Sequence, residues 1–440
     1  MGGRHVTPRI GRLAAAAGVL LLLLALGAGV WWRRAQAPPL ERAGRLLTDN
    51  PALGLPSPPE GLVVLARPGR WARLVGRHPA RRPLLDPAWW QGLSSGKAES
   101  RPWTVAPGVV AILLDRLPRG LVVAWWADGW VVQGAVSGGA ATERLVRMLP
   151  PDVAANLGVS GGVLRVASAP GLLEGASWRP PVPPLDPAQG VACWIWRPDG
   201  DWTGRWEGAT LVLERGAGDA AAAPPPRGAL LLRSTDAGRA LARLGLHPSR
   251  WHPPGERGGG LESLLERPLT LWIRRVTGGG TLPRPEFVAE LVLREGEAPS
   301  GVAGALRKTL CALGCVSQSA ELMDGTPVTV WKSAFGSWWV LAGDGGVVIA
   351  DSRDRLAAYL GMDRAGLLPG GTWAVAAAPS LAGSLEAVAG AAVLVDLGLV
   401  ERSRIRLARR LAGPLRGFGA ISWTRSGGSE RVAVEFTDPD

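Results

Sequence analysis

Hydrophobic positions follow two different patterns along the chain. Residues 13–32 read LAAAAGVLLLLLALGAGVWW, an unbroken apolar run without a charge. Beyond residue 60, short apolar runs alternate with polar residues and turn residues. At a rise of 1.5 Å per residue, about twenty helical residues span the roughly 30 Å hydrocarbon core of a bilayer. The first pattern therefore predicts a membrane-spanning helix, and the second predicts a folded exported region.

The flanks of residues 13–32 bear on orientation and processing. Arginines at positions 4, 9 and 12 favour a cytoplasmic N-terminus, although those at 33 and 34 weaken that signal. We assign the membrane anchor to Leu13, Leu22, Val30, Trp31 and Trp32, the two tryptophans at the interface. The alternative is a signal peptide cleaved after Ala35-Gln36-Ala37, but the apolar run is longer than usual for one and Pro38 follows directly.

The exported region repeats one order of elements: strand, helix, hairpin, helix, strand. The first set is predicted at 62–66, 70–78, 120–136, 140–149 and 162–167, and the second at 229–233, 236–244, 269–294, 300–313 and 327–332. Each hairpin joins two apolar runs through glycine-containing residues, which is typical of antiparallel strands. This recurrence indicates an internal duplication.

The remaining chain adds strands at 337–341 and 345–350, a helix at 353–360, helices at 380–389 and 393–411, and a final hairpin at 417–437. We therefore predict an α+β fold of two duplicated units, in which helices cover antiparallel sheets on one face, after one transmembrane helix. The predicted segments are a cytoplasmic N-terminus 1–12, a signal-anchor 13–32, a Pro-rich linker 33–55, a first unit 56–216, a linker 217–226, a second unit 227–368 and a C-terminal partial unit 369–440.

Three stretches resemble a broad class of uncharacterised bacterial exported proteins with one N-terminal membrane helix and a repeated α+β region. They are LPSPPEGLVVLA, WWVLAGDGGVVIADSRDRLAAYL and GFGAISWTRSGGSERVAVEF. The resemblance covers most of the chain, but none of these stretches is a specific signature. It implies an exported, membrane-attached protein and supplies no site residues.

Composition weakens the case for a nucleic-acid partner. The formal net charge is +12, yet Lys97, Lys308 and Lys332 are the only lysines among 49 basic residues. Such a preference for arginine, together with 21 Trp and one Tyr, is typical of a GC-rich coding sequence. Part of the charge is therefore background, and an exported domain rarely meets nucleic acid. We expect no nucleic-acid partner.

Two arginine stripes are candidate contacts for an anionic surface. Arg70, Arg73 and Arg77 recur at helical spacing, with Arg81 one turn further, and Arg402, Arg406 and Arg409 share one side of a later helix with Arg410. A solvated helix face explains such stripes equally well. Near charged headgroups, each arginine contributes roughly 1 kcal/mol to membrane binding. Candidate partners are thus the membrane itself and an envelope protein, an anionic lipid or a polysaccharide.

Two serines fit catalytic sequence motifs but lack the expected context. Ser160 is the serine of a G-x-S-x-G match, and Ser94 with Lys97 matches S-x-x-K. A nucleophile elbow needs a helix after the serine, whereas a glycine pair and a strand follow Ser160. The stretch around Ser94 reads as a loop and lacks the partner motifs of acylating enzymes. We therefore assign no catalytic residue.

Metal and ligand signals are equally weak. His247 and His252 are five residues apart in a proline-rich stretch, and Cys311 and Cys315 are four apart without a third ligand. Adjacent tryptophan pairs such as Trp338-Trp339 suggest sugar stacking, but core packing explains them too. We predict no metal and no cofactor, and we leave open whether Cys311 and Cys315 pair.

The sequence thus predicts a membrane-anchored binding or scaffold protein of the cell envelope with an unknown ligand and no enzymatic activity. Its expected location is the inner (cytoplasmic) membrane, with one pass and with most of the chain outside the cytoplasm. The alternative is an envelope serine hydrolase or acyl-transfer enzyme that uses Ser94 with Lys97, or Ser160.

Overall fold

A computed structural model describes the fold of the residues between 55 and 438, with gaps. The described residues are 55–65, 68–85, 121–126, 129–136, 143, 146–147, 149, 154, 156–160, 162–173, 191–196, 200–216, 228–235, 264, 267–278, 283–294, 296–312, 315–323, 325–333, 336–343, 346–362, 372–390, 402–426 and 428–438. The predicted membrane helix at 13–32 lies outside this set. Within the set, no helix is both long and apolar enough to cross a bilayer.

Strands dominate the described residues. They are β1 Gly61–Leu65, β2 Leu121–Trp125, β3 Trp130–Ala135, β4 Leu157–Ser160, β5 Val163–Ala167, β6 Val191–Trp196, β7 Trp202–Glu207, β8 Thr210–Arg215, β9 Leu230–Ser234, β10 Leu269–Thr277, β11 Arg284–Val292, β12 Val316–Met323, β13 Thr326–Ser333, β14 Gly336–Gly343, β15 Gly346–Ala350, β16 Thr372–Ala377, β17 Phe418–Ser426 and β18 Ser429–Phe436. The α-helices with described bounds are α1 Pro68–Arg77, α2 Pro299–Ala312, α3 Arg353–Leu360, α4 Ala378–Gly390 and α5 Arg402–Leu415, and 3-10 helices span Pro79–Leu85 and Pro170–Leu172.

The predicted α+β fold class is wrong. The described chain is mostly antiparallel β-structure with few helices, not a set of helix-covered α+β units. The error arises from polar strands. β7 reads WTGRWE and β12 reads VSQSAELM, and neither carries a face of Val, Ile or Leu that would mark it as a strand. Because such strands give little hydrophobic signal, periodicity alone undercounts them.

The described residues divide into two compact units. The first unit takes those within Ala15–Gly218, Gly413–Gly419 and Ser429–Asp440, and the second takes those within Asp219–Ala412 and Ala420–Gly428. The predicted boundaries at residues 216, 227 and 368 stay predictions.

The first unit is built on one antiparallel ladder. Its strand order is β4-β5-β3-β2-β1-β6-β7-β8-β18. The chain's first strand, β1, lies inside this ladder between β2 and β6, and all five of its residues, GLVVL, are buried. A continuous apolar run of this kind is what a strand covered on both faces requires.

The second unit repeats this connectivity and extends it. Its order is β17-β16-β9-β10-β11-β15-β14-β13-β12, again antiparallel throughout. Here β9 takes the interior place of β1, between β10 and β16. The strands β4 and β5 correspond in position to β14 and β15. The element order predicted from sequence instead matched β5 to the strand at 327–332, which is β13. In the structure, β13 and β12 lie beyond the strand order that the two units share.

Both faces of the second ladder are packed. Along β15, Val347 and Ile349 belong to one hydrophobic cluster, which includes Leu306 of α2. The alternate residues Val348 and Ala350 belong to another, which includes α3. Because neighbouring residues of a strand point to opposite faces, α2 and α3 lie on opposite sides of the sheet. The prediction that helices cover one face is therefore also wrong.

An aromatic cluster fills part of the first unit. The ring centroids of Trp71 and Trp206 lie 4.9 Å apart, those of Trp206 and Phe436 5.4 Å apart, and those of Phe418 and Phe436 5.1 Å apart. These separations and the tilted or edge-on angles are favourable for aromatic pairs. The cluster joins α1 to β7, β18 and Phe418, a residue of the first unit, and it forms the surroundings of a buried arginine described below.

Candidate functional site

The G-x-S-x-G sequence lies in a hairpin. Ser160 is the last residue of β4, Gly162 has a φ of 77°, and β5 begins at Val163. A nucleophile elbow needs a helix directly after its serine, so the backbone at Ser160 does not have that form. The other candidates Ser94, Lys97, His247 and His252 lie outside the described residues. Within those residues, no group of three or more His, Cys, Asp or Glu could hold a metal ion.

The first arginine stripe is not one continuous helix face. α1 ends at Arg77, because a residue that precedes a proline, here His78 before Pro79, disfavours the α conformation. Arg73 and Arg77 are exposed, as an anionic-surface contact requires. The side chain of Arg70 lies outside the described set. Arg81 falls on the following 3-10 helix and turns inward, where it is fully buried.

Arg81 is a buried cation with incomplete hydrogen bonding. Its Nη2 donates to the carbonyl oxygen of Thr437 at 2.9 Å, and its guanidinium carbon lies 5.5 Å and 5.2 Å from the ring centroids of Phe418 and Phe436. Among the described residues, its Nε and Nη1 have no acceptor. Burial lowers the pKa of Arg81 to about 10, and the negative charge of Asp438 opposes that shift. Arg81 therefore links the 3-10 helix to the residue that follows β18.

The second stripe presents an exposed basic face on α5. Ile405 and Ala408 are buried in a cluster with Ala389 of α4. On the other side of the helix, Arg406 is exposed and Leu407 keeps 40% of its surface accessible. We call Arg406, Leu407, Arg409 and Arg410 the α5 basic face.

The side chains of the α5 basic face differ in how far they contact the rest of the protein. Arg409 is exposed, but its Nη2 donates to the carbonyl oxygen of Ala389 at 3.0 Å. The side chain of Arg402 is outside the described set. Arg406 with Leu407 is thus the part of this predicted site that the fold leaves most accessible.

A half-buried acidic cluster lies under α3 in the second unit. Glu286 accepts a hydrogen bond from Arg275 Nε at 2.7 Å, and its Oε2 lies 3.0 Å from Arg355 Nη1 in an ion pair outside hydrogen-bonding geometry. Arg355 Nε also lies 2.7 Å from Asp351 Oδ1. Two same-face positions further along β11, beyond Val288, Glu290 accepts a hydrogen bond from the hydroxyl of Tyr359 at 2.7 Å.

This acidic cluster ties α3 to β11. Asp351 Oδ1 also accepts from the backbone N–H of Phe287 at 2.9 Å, so the residue before the helix is bound directly to the strand. The carboxylates of Glu286 and Asp351 are matched by the two guanidinium groups of Arg275 and Arg355. Since the charges are mutually neutralised, the arrangement stabilises the fold and does not form a reactive acid–base pair.

The second unit also contains a buried arginine, and its two terminal nitrogens are paired with a carboxylate. Arg267 is 5% exposed, and its two terminal nitrogens donate to the two carboxylate oxygens of Glu297. These hydrogen bonds, followed by one from the backbone N–H of Arg294, lower the pKa of Glu297 to about 2. The pair joins Arg267, which precedes β10, to Glu297 in the connection between β11 and α2.

Charged side chains also form a four-membered network on the first unit. Arg205 and Arg431 each bridge Glu207 and Glu214 at N–O distances between 2.7 and 3.2 Å. The four residues come from the adjacent strands β7, β8 and β18. Their side chains are 21–43% exposed, so solvent screens the network and its contribution to stability is small.

The strand β12 is an exposed edge. It is hydrogen-bonded to β13 along one side, and the described residues contain no strand paired with its other side. Val316 and Leu322 keep 67% and 69% of their surface accessible, the highest exposures among the large hydrophobic side chains described. We call this outward side of Val316–Met323 the β12 edge. Sequence analysis missed it, because β12 was not predicted as a strand.

The cysteine and tryptophan candidates lie in different surroundings. Cys311 and Cys315 are free thiols, the first exposed and the second buried. Trp338 and Trp339 pack against opposite hydrophobic clusters, as neighbours in a strand must. The acidic cluster could have been found from the sequence PEFVAEL, because a period of two places Glu286, Val288 and Glu290 on one strand face.

Comparisons with known proteins identify no relative: no family model, no curated protein and no solved structure matches the chain.

Proposed function

We propose that the chain is a membrane-anchored binding or scaffold protein of the cell envelope, without enzymatic activity. The apolar run at 13–32 supports attachment to the inner membrane. The observation that carries the proposal furthest is the α5 basic face, because an exposed leucine beside exposed arginine is the surface expected of a helix that lies on an anionic bilayer. The N-terminal helix attaches the chain, and the α5 basic face holds the folded region against the headgroups.

Two weak contributions to the free energy of membrane binding support this role of the α5 basic face. Each arginine near an anionic surface contributes roughly 1 kcal/mol, and inserting a leucine side chain into the interface adds a hydrophobic term. Neither is sufficient for stable attachment alone. With the chain already tethered by a membrane helix, however, the α5 basic face acts at high local concentration, so weak contacts suffice to fix its position.

Attachment is tested by extraction and topology. A reporter fused after Asp440 should be active outside the cytoplasm, and the full chain should stay with membranes through an alkaline carbonate wash. Release of the whole protein by that wash, with a mature N-terminus at Pro38, would contradict the anchor.

The α5 basic face is tested with the full chain in nanodiscs of neutral or anionic phospholipid. Hydrogen exchange of residues 402–415 should be slower on anionic discs. The double variant Arg406→Gln/Leu407→Ser should abolish that difference, and Arg307→Gln, which removes an exposed arginine of α2, should preserve it. Equal exchange on both lipids would reject the lipid-facing role.

The hydrolase alternative has its own test. Labelling of the full chain by a fluorophosphonate or penicillin probe that disappears in Ser94→Ala or Ser160→Ala would replace the proposed function with an enzymatic one.

A further inference from the structure

The β12 edge differs from the corresponding end of the first unit. There the ladder ends at β4, which has four residues, whereas the second ladder continues past the corresponding β14 through β13 to β12, each of eight residues. The hairpin β12–β13 is thus an addition to the shared strand order. Additions of this kind at the periphery of a scaffold are where binding functions commonly reside.

The described side chains of β12 give its edge little protection. Native proteins usually blunt an edge strand with short length, inward charges or lysines. Among the described side chains, β12 carries one charge, Glu321, while Val316 and Leu322 are its most exposed apolar groups. One protective feature exists, an irregularity between Ser317 and Ser319. Beyond it the strand pairs regularly from Ser319 to Met323, and this part is long enough to template another strand.

A second copy of the chain is a poor occupant of this edge. Two β12 strands can pair about a two-fold axis over the regular stretch Ser319–Met323 only if Glu321 is at the centre. That register sets the two Glu321 carboxylates directly opposite each other, which destabilises an antiparallel pair. Moving the axis to Ala320 relieves the repulsion but runs into the irregularity between Ser317 and Ser319. Moving it to Leu322 shortens the paired stretch to Glu321–Met323, because the strand ends at Met323. The edge therefore suits a different sequence.

The two faces of β12 define the chemistry of that sequence. Glu321 lies opposite Val328 and therefore on one face, and Leu322 lies opposite Pro327 and therefore on the other. An added strand needs a lysine or arginine across from Glu321 and apolar residues on both sides of it in sequence, one of which lies across from Leu322. Opposite charges and apolar pairs in these positions each stabilise a sheet.

We propose that the β12 edge accepts an extended segment of a partner protein, with a basic residue between apolar ones, as an added antiparallel strand. This inference rests on the proposed binding function and names its partner class. Main-chain hydrogen bonds to β12 supply affinity, and the side chains opposite Glu321 and Leu322 supply selectivity.

The test uses the full chain in nanodiscs and two capped synthetic peptides, Thr-Val-Lys-Val-Thr-Val and Thr-Val-Glu-Val-Thr-Val. Fluorescence anisotropy should show binding of the lysine peptide about fivefold tighter or more, since the charge opposite Glu321 changes from attractive to repulsive. Hydrogen exchange should slow along residues 316–323 when this peptide binds.

Charge reversal provides the decisive control. Glu321→Lys should invert the preference between the two peptides, and because Glu321 is exposed the fold should persist, which thermal melting checks. Glu143→Lys, which reverses an exposed glutamate of the first unit, should leave the preference unchanged. Equal affinities, or protection of a segment other than β12, would overturn the inference. Loss of membrane attachment in the carbonate wash would reject the anchored function and leave these peptide results standing.

Discussion

The two units bury an arginine in opposite ways. In the first, Arg81 is fully enclosed by Phe418 and Phe436 with one carbonyl acceptor, and its Nε and Nη1 have none. In the second, Arg267 is nearly as buried but forms a two-pronged pair with Glu297. The carboxylate of Glu297 offsets more of the desolvation cost of Arg267 than one carbonyl and two aromatic rings offset for Arg81. The comparison teaches that burial alone does not identify an arginine that stabilises its fold.

The units also differ at the glycines that precede their interior strands. Gly61 begins β1, and a Cβ there would lie 2.1 Å from Trp125 Cζ2. Gly228 stands just before β9 with a φ of 149°, and a Cβ there would lie 2.8 Å from the Cα of Arg274. The first contact is with a side chain that can shift, and the second is with backbone that cannot.

Replacing these glycines gives the largest expected separation between the units. Gly228→Ala should lower the free energy of unfolding by about 2–5 kcal/mol, from backbone strain plus overpacking. Gly61→Ala should cost about 1–3 kcal/mol, since Trp125 can move. Urea unfolding followed by tryptophan fluorescence measures both. A smaller loss for Gly228→Ala than for Gly61→Ala would contradict the distinction.

Arg81 offers the next largest effect. Arg81→Ala should lower the free energy of unfolding by about 2–4 kcal/mol, because it leaves a cavity between the two phenyl rings. Arg81→Met fills the same space without unpaired donors, so its unfolding free energy should stay within about 1.5 kcal/mol of the original. If Met destabilised the protein as much as Ala, the positive charge itself would be required there.

Acid should act on the second unit through Glu297. Its pKa in the folded state, about 2, is below the value in the unfolded chain, so its stabilising contribution is present above that unfolded pKa and is lost as the pH falls toward 2. Thermal melting between neutral pH and pH 2.5 should show a steeper fall for the original chain than for Glu297→Gln. Glu143→Gln is the matched control, and an unchanged slope in Glu297→Gln would refute the assignment.

The smallest effect belongs to the exposed network of the first unit. Arg431→Gln removes two of its ion pairs and should cost about 0.2–1 kcal/mol, because both partners are screened by solvent. Raising the salt concentration should shrink that difference further. A loss that is insensitive to salt would mean that packing of the Arg431 stem, and not its charge, is what matters.

Sequence reasoning found those parts of the fold where local signals are strong. The apolar run of β1 and the hairpin formed by β2 and β3 follow from hydrophobic runs bounded by turn residues, and the observed bounds agree to within a residue or two. The polar strands β7 and β12 were missed, because their residues are held by neighbouring strands and not by an apolar face of their own.

The candidate site shows the same division. Arg73, Arg77 and Arg406 are exposed, and their contact with an anionic surface stays a prediction. The burial of Arg81 could not be anticipated, because it depends on Phe418 and Phe436, which lie more than 300 residues further along the chain. The β12 edge likewise depends on which strand ends the ladder, a property of long-range pairing that no local pattern contains.

The interior position of β1 also constrains how the chain can fold as it emerges. β1 can meet β2 once residue 125 is available, but its other neighbour, β6, ends at Trp196, and the ladder is completed only by β18 at residues 429–436. Closing such long loops carries an entropic cost and slows folding. The first unit thus reaches its final structure only after nearly the whole chain has been synthesised. Before β18 is synthesised, the side of β8 that later pairs with it is an open strand edge. During that interval the nascent protein is most prone to aggregate or to bind a chaperone.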